Sequence, residues 1–163
     1  RTGRRSSMAS RSSPSSQPNP DLSPTLSVKR PSRKQARRDA LFLLYQREVT
    51  SLSMSELVDG HRLREGYAPD EFTVRAVRGV IASQDEIDAK ITRHATGWPL
   101  ERIAPLERSI LRLAVWEMAS KETPAAVAID EAVRLAKRYA TEDAGTFVNG
   151  ALGAIQREIE EAQ

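Results

Sequence analysis

Residues 30–48 read RPSRKQARRDALFLLYQRE, a stretch that changes character at its centre. Its first half is basic, and its second half is apolar and carries a tyrosine near its end. The apolar side chains recur at three- and four-residue intervals, which predicts one amphipathic helix over about residues 33–48, with Ser32 as its N-cap. The predicted core face of that helix consists of Ala36, Ala40, Leu43 and Leu44.

The cations of this helix also follow a pattern. At about 100° per residue they fall within one arc, and Tyr45 lies on the same arc, seven residues after Arg38. Cations near a helix N-terminus oppose the helix dipole unless an anion binds beside them, and a tyrosine ring can stack on an unpaired base. The residues leave two interpretations open, an exposed nucleic-acid-binding strip and a solvated basic face with a tyrosine at its rim. The members of the strip are Arg33, Lys34, Arg37, Arg38 and Tyr45.

The charge of the chain is unevenly distributed. The 163 residues carry a formal net charge of +3, but residues 1–38 hold 10 of the 25 lysines and arginines and only one acid, Asp21. That segment has a net charge of +9, which leaves −6 for the rest of the chain. A basic arm on a mildly acidic body indicates an electrostatic role, with nucleic acid as the usual partner and an anionic membrane surface as the alternative. The membrane is disfavoured because the apolar residues continue into a core-forming helix.

The rest of the chain shows helical periodicity, and no segment alternates as a strand would. Residues 1–31 are rich in Ser, Pro and Arg, which predicts a disordered basic tail. One long helix is predicted over about residues 70–92, and a later helix is predicted to have Thr123 as its N-cap and Pro124 at its first position. The chain is therefore predicted to be an all-α bundle of about seven helices.

The sequence lacks the residues that several classes of function require. The chain has no cysteine, which excludes a cysteine-ligated metal, and no apolar run approaches the length of a membrane span. The basic N-terminus lacks the apolar stretch of a signal peptide, so a cytoplasmic protein is expected. His61 and His94 are far apart, and no phosphate-binding glycine loop is present. The sequence predicts no cofactor, no metal site and no enzymatic activity.

Three stretches carry more specific information: RKQARRDALFLLYQRE at 33–48, LERSILRLAVWEM at 106–118 and TPAAVAIDEAVRLAKRYATEDAGTFVNGALGAI at 123–155. In this order and spacing they resemble the NusB family of bacterial transcription antitermination factors. FVNG and AIDEAVRLAKRYATED are the most specific parts of the match. The resemblance covers about residues 33–157, which is essentially the whole predicted folded part.

The resemblance implies both an architecture and a function. The implied NusB-like domain spans residues 32–157 in two packed helical subdomains, about 32–95 and 98–157, and is followed by a C-terminal end at 158–163. Members of the family bind boxA RNA of nascent ribosomal RNA transcripts together with NusE, a small-subunit ribosomal protein. The complex joins NusA and NusG on RNA polymerase and suppresses termination. Some members form homodimers that hide the RNA surface, and the sequence leaves that alternative open.

The resemblance also assigns roles to individual residues. The arginine-rich strip and Tyr45 match the RNA-binding segment of the family. Asp143 and Phe147 lie at or near its RNA surface, although Asp143 is favoured as a helix cap and Phe147 as a core residue. Trp116, where the family often has tyrosine, and Glu117 match the side that meets NusE. The signature residues, which are expected to act structurally through close helix approach and backbone contacts, are Asn149 and Gly150.

Two other functions remain as alternatives on the sequence alone. A related helical domain precedes the methyltransferase domain of some RNA cytosine methyltransferases, but this chain lacks a cysteine nucleophile. A purely protein-binding module acting through the Trp116 face would not need residues 1–38. Tail arginines such as Arg1, Arg4, Arg5 and Arg11 are expected either to add nonspecific RNA affinity or to contribute nothing. Replacing Arg37 and Arg38 by alanine is expected to weaken RNA binding without unfolding the body.

Overall fold

The helical prediction is confirmed by a computed structural model, which describes residues 2–3 and 30–163. Within those ranges the chain forms seven α-helices and no strand, and a 3-10 turn at Leu100–Arg102 leads into the fifth helix. The tail arginines Arg1, Arg4, Arg5 and Arg11 lie outside the described residues. The helices are α1 (Arg33–Val49), α2 (Met54–Glu65), α3 (Glu71–Ala82), α4 (Gln84–His94), α5 (Pro105–Ala119), α6 (Ala125–Tyr139) and α7 (Glu142–Glu161).

One apolar core unites helices from both ends of the domain. Helix α1 packs against α2, α3 and α5, while α6 and α7 pair with each other and with α5. The predicted core face of α1 is buried, and it belongs to the same cluster as Leu152 and Ile155 of α7. The division into two packed subdomains, about 32–95 and 98–157, stays a prediction. No helix in the described ranges has both the length and the apolar character needed to cross a membrane.

Side-chain caps begin several of the helices. The backbone N–H of Gln35 donates to Ser32 Oγ over 3.1 Å, which confirms Ser32 as the N-cap of α1. The predicted cap of α6 is wrong, because α6 begins at Ala125 and the Thr123 hydroxyl donates instead to the buried Glu117 carboxylate over 2.8 Å. A buried carboxylate depends on donors from the protein, whereas the free backbone N–H groups at a solvated helix end can donate to water.

The long helix predicted over residues 70–92 is two helices. It breaks at Ser83, which has φ −112° and ψ 16° and ends α3 at the point where α4 begins. The apolar spacing continues across the break from Val80 to Ile87 and Ile91, all of them buried, so periodicity alone could not reveal it.

A network of ion pairs ties α1 to α4 and α5. Arg112, which is 6% exposed, contacts Asp88 through two hydrogen bonds of 2.8 and 3.0 Å and Glu48 through a third of 2.9 Å. Arg108 also donates to Glu48. Burial acts to raise the pKa of the Glu48 carboxyl, but the guanidinium groups of Arg112 and Arg108 outweigh it and hold the pKa below its ordinary value. Glu48 therefore stays ionised at neutral pH and links the two arginines.

Gly79 makes room for a large aromatic side chain between α3 and α5. A Cβ atom at position 79 would lie 1.9 Å from Nε1 of Trp116, well inside contact distance. The indole also meets the ring of Phe72, with ring centroids 6.0 Å apart and an angle of 61° between the planes. The absence of a side chain at Gly79 therefore allows Trp116 to lie in the core.

Replacing Gly79 by alanine is expected to destabilise the fold by about 1–3 kcal/mol, because the added methyl group displaces the Trp116 ring. Gly153→Ala is the matched control, since a Cβ atom there would come no closer to Arg157 Nη1 than 3.9 Å. The control is expected to leave stability unchanged or raise it by up to about 1 kcal/mol through helix propensity. Urea unfolding followed by circular dichroism measures both, and equal effects at the two positions would contradict the packing argument.

Candidate nucleic-acid interface

A basic groove lies where the N-terminal half of α1 meets the C-terminal half of α6. Helix α1 supplies Lys34 and Arg38 to one wall, and α6 supplies Arg134 and Arg138 to the other. The groove has a volume of about 320 Å³. Opposed cations on two rigid helices form a channel that fits a chain of phosphates, whose charge repeats along its length.

Little negative charge offsets these four cations. One carboxylate, Glu131, lines the groove. It lies 3.8 Å from Arg37 Nη1 and 4.0 Å from Arg134 Nη1, so two guanidinium groups share it. Among residues 30–163, no carboxylate oxygen lies within 4.0 Å of the side-chain nitrogens of Lys34 or Arg38. The Arg38 guanidinium is held by Gln35 Oε1 over 2.6 Å, which orients it without neutralising it.

Aromatic rings lie beside the cations. Tyr139 lines the groove, and its ring meets Phe42 of α1 edge-on at a centroid distance of 5.1 Å. Phe42 is 39% exposed and Tyr45 is 36% exposed, both unusually open for large rings on a core helix. Tyr45 is thus exposed as the sequence predicted. Exposed rings beside cations form the kind of surface on which unpaired bases can stack.

The predicted exposed strip is in fact two rows of residues on different sides of α1. Lys34 and Arg38 face the groove, but Arg33 lies over the ring of the buried Phe72, 4.1 Å from its centroid. Arg37 is only 4% exposed, so the expectation that it lies on an open strip is wrong. Arg33 and Arg37 form one row at i and i+4, and Lys34 and Arg38 form the next row about 100° around the helix, so burial beside the first row separates the two.

Arg37 forms a buried ion pair that joins three helices. Its Nη2 donates to Glu117 Oε1 over 2.7 Å, and its Nε lies 3.1 Å from both carboxylate oxygens. Glu117 is 1% exposed and also accepts the hydrogen bond from Thr123. Glu131 of α6 lies close to the same guanidinium. A bidentate pair, with Thr123 as a further donor to the carboxylate, locks α1 and α5 together beside α6.

Trp116 and Glu117 are buried rather than displayed to a partner. Trp116 is 9% exposed and packs on Gly79 and Phe72, while Glu117 pairs with Arg37. The expectation of an aromatic anchor on the surface is therefore not met by this structure. Both side chains instead pack α5 against its neighbours, Trp116 against α3 and Glu117 against α1.

Asp143 and Phe147 line a second pocket, on the other side of the turn between α6 and α7. Its volume is about 300 Å³, and its wall includes Trp98 from the loop before α5. Phe147 is half-buried and meets the Trp98 ring at a centroid distance of 6.2 Å, so it is partly core and partly pocket wall. The predicted cap role of Asp143 is wrong, because Thr141 Oγ1 accepts from the Ala144 N–H over 3.0 Å.

Asn149 and Gly150 do not have the structural roles expected of them. Both are exposed on α7. A Cβ atom added to Gly150 would meet nothing within 4 Å, so no other helix approaches closely there. The side chain of Asn149 forms no hydrogen bond within the described ranges. These residues are surface features of α7 in this chain.

The sequence did not predict the α6 side of the groove or the tryptophan of the second pocket. Arg138 lies in the last turn of α6, where a cation simply complements the helix dipole, so it carries no special signal. The spacing of Arg134 and Arg138 is i, i+4 and puts them on one face, which a search for basic rows could have found. No pattern in the sequence shows that this row faces α1. In the described ranges no group of three or more potential metal ligands is present.

Known proteins match this helical arrangement. A family model, described as the NusB family, matches residues 34–157, well over half of the chain. The chain belongs to the NusB family. The transcription antitermination protein NusB of Bacillus subtilis is 40% identical over 131 residues, which cover 80% of this chain and 98% of that protein. The resemblance found in the sequence is therefore confirmed.

Solved structures share the fold of this NusB-family chain. A chain from a crystal structure of the antitermination factors NusB and NusE in complex with dsRNA has a TM-score of 0.70 and 30% identity, covering 77% of this chain and 96% of that one. NusB of T. maritima has a TM-score of 0.69 and 33% identity, covering 79% and 93%.

Truncating Arg37 is expected to cost about 3–5 kcal/mol of folding free energy, because Glu117 would stay buried without its partner. Lys34→Ala removes the same charge from the open groove and is expected to change stability by at most about 0.5 kcal/mol. The free energies come from urea unfolding at neutral pH. If this difference in stability is found, the expectation that Arg37 can be replaced without unfolding the body is wrong. Equal stability of the two variants would instead show that the Arg37–Glu117 pair does not stabilise the fold.

Proposed function

We propose that this chain is a transcription antitermination factor that binds boxA RNA of nascent ribosomal RNA transcripts together with NusE. The observation that carries the proposal is the basic groove between α1 and α6, with four cations facing one shared carboxylate. The antitermination proteins that this chain is similar to and the NusB–NusE structure with dsRNA support it. The chain acts as a non-enzymatic adaptor in the cytoplasm.

In this proposal the groove binds the sugar–phosphate chain and the aromatic rings bind bases. Lys34, Arg38, Arg134 and Arg138 neutralise phosphates, and the counterions released from the RNA make affinity fall with salt. Tyr45 stacks on an unpaired base beside the groove. Arg37 takes an indirect part in RNA binding by holding α1 in place, and Arg33, which lies over the Phe72 ring outside the groove, stays a proposed RNA contact.

The protein partners follow from family membership. We propose that NusE binds the outer face of α3, which Trp116 holds in position from inside through Gly79 and Phe72. NusA, NusG and RNA polymerase would then join the RNA-bound pair. A homodimer that covers the RNA surface is the competing state, and light scattering on the free protein distinguishes it from a monomer.

The first test is fluorescence anisotropy with a labelled boxA RNA and a scrambled RNA of equal length, each with and without NusE. Tighter binding to boxA than to the scramble, strengthened by NusE, is the expected result. Equal binding to both RNAs would indicate that the groove is a general electrostatic surface without sequence preference. Absence of binding to either RNA, with NusE present, would overturn the proposed function.

The two arginines of α6 are expected to contribute directly to RNA affinity. In the double variant Arg134→Ala, Arg138→Ala, affinity should fall, and the slope of log affinity against log salt should become shallower by about 0.7 for each phosphate that the protein no longer neutralises. Arg62→Ala, Arg157→Ala removes the same charge at exposed positions outside the groove and serves as the control. Equal decreases in affinity in the two double variants would indicate that net charge, and not the groove, sets the affinity.

Trp116→Phe tests how the buried tryptophan serves partner binding. The variant is expected to lower thermal stability yet bind NusE with nearly unchanged affinity at a temperature where it stays folded. An anchor residue in the interface would cost about 2 kcal/mol or more on truncation, roughly a 30-fold decrease in affinity. Titration calorimetry with NusE measures the affinity, and a decrease of that size in the folded variant would contradict the positioning role.

A further inference from the structure

Tyr67 is directed back onto α1 by the turn that ends α2. Helix α2 ends at Glu65, and Gly66 follows it with a φ of 77°, in the left-handed region that glycine tolerates. The Gly66 backbone N–H donates to the Arg62 carbonyl over 2.9 Å, which closes the end of the helix. The Tyr67 ring then meets the buried His61 ring edge-on, at a centroid distance of 5.1 Å. The half-buried phenol is therefore held beside α1.

The Tyr67 hydroxyl closes a ring of hydrogen bonds with two side chains of α1. It donates to Asp39 Oδ2 over 2.8 Å. Gln35 Nε2 donates to Asp39 Oδ1 over 3.0 Å and to the Tyr67 hydroxyl oxygen over 3.2 Å. Burial and the hydrogen bond to Asp39 raise the pKa of the Tyr67 phenol, so the hydroxyl keeps its proton at neutral pH. Gln35, Asp39 and Tyr67 form a polar triad.

The polar triad fixes which end of the Gln35 amide faces the basic groove. A carboxylate only accepts hydrogen bonds, and the Tyr67 oxygen, having given its hydrogen to Asp39, also accepts. The amide NH₂ group of Gln35 must therefore face the triad, which leaves its carbonyl oxygen to accept from Arg38 Nη2 over 2.6 Å. A flipped amide would set that oxygen against the Asp39 carboxylate and the NH₂ group against the guanidinium.

A second position is open to the Arg38 side chain. Arg38 lines the basic groove and also a cavity of about 400 Å³ between α1 and the loop after α2. The exposed Glu65 lines the same cavity. A guanidinium released from Gln35 can turn toward that carboxylate, which would withdraw its charge from the groove. Holding a long side chain in place before a ligand arrives also removes the entropy cost of ordering it on binding.

Asp39 and Tyr67 do not line the groove themselves. Asp39 is buried, and Tyr67 faces the cavity on the other side of Arg38. Their influence on a ligand in the groove must therefore pass through the Gln35 amide to the guanidinium.

We propose that Asp39 and Tyr67 are positioning residues for RNA binding, which act through the Gln35 amide to hold Arg38 in the groove and away from Glu65. The inference rests on the proposed RNA-binding function and names residues outside the groove that set its affinity. A residue that acts only through Arg38 loses its effect on RNA affinity when the Arg38 side chain is absent.

The test is a double-mutant cycle on the full chain, with affinity for labelled boxA RNA measured by anisotropy in the presence of NusE. Tyr67→Phe removes only the hydroxyl and is expected to weaken binding about 2- to 10-fold when Arg38 is present. In a chain that carries Arg38→Ala, adding Tyr67→Phe is expected to change nothing further. Thr50→Val removes an exposed hydroxyl outside the groove and is the control, with affinity expected to stay unchanged.

Unchanged affinity in Tyr67→Phe, or the same decrease with and without Arg38, would overturn the positioning role, because a loss of fold stability alone does not depend on Arg38. It would leave the proposed function intact. Failure of the unaltered chain to bind boxA RNA with NusE present would overturn both.

Glu65→Gln supplies a second readout, because it removes the carboxylate toward which a released Arg38 can turn. It is expected to raise the RNA affinity of the Tyr67→Phe chain more than that of the unaltered chain. Equal gains in the two chains would indicate a general effect of charge and would overturn the proposal.

Discussion

The buried ion pair between Arg37 and Glu117 sets the orientation of α1, and the basic groove between α1 and α6 depends on that orientation. The pair is bidentate, excluded from water and completed by the Thr123 hydroxyl. Burying two charges is favourable only when their geometry is good and their remaining hydrogen-bonding sites are filled, which makes rotation of α1 away from this position costly. With Arg37 fixed toward α5, Lys34 and Arg38 lie about 60° and 100° further around the helix. Those angles bring them to the side that faces α6.

The second wall of the groove depends on how α6 is turned. Helix α6 buries a row of small side chains, Ala128, Ala132 and Ala136, against its neighbours. Small residues allow close packing with α7, and this leaves Arg134 and Arg138 on the side toward α1. Glu131 lies between the buried pair and the open groove and contacts a guanidinium in each. Helix α6 thus supports the core charge pair through Glu131. It also supplies half of the basic surface through Arg134 and Arg138.

Burial separates residues that look alike in the sequence. Trp116 and Trp98 are the two tryptophans of the chain, and one fills a gap above Gly79 while the other is half open to water beside Phe147. Arg37 and Arg38 are adjacent, and one is a core residue while the other is held in the groove by Gln35. The chemistry available to each side chain is set by its surroundings, and a partner can reach only the second member of each pair.

The amino-acid sequence is sufficient for the fold class, the positions of most helices and the family, because these depend on local periodicity, caps and residue patterns that are read along the chain. It also placed Lys34, Arg38 and Tyr45 on accessible positions of α1. It could not separate α3 from α4 at Ser83, since the apolar spacing runs unbroken through the kink. Nor could it show that Arg37 and Glu117, 80 residues apart, find each other in the core. The α6 wall of the groove and the Trp98 pocket likewise arise only when distant segments meet, because the environment of a side chain is a property of its neighbours in space.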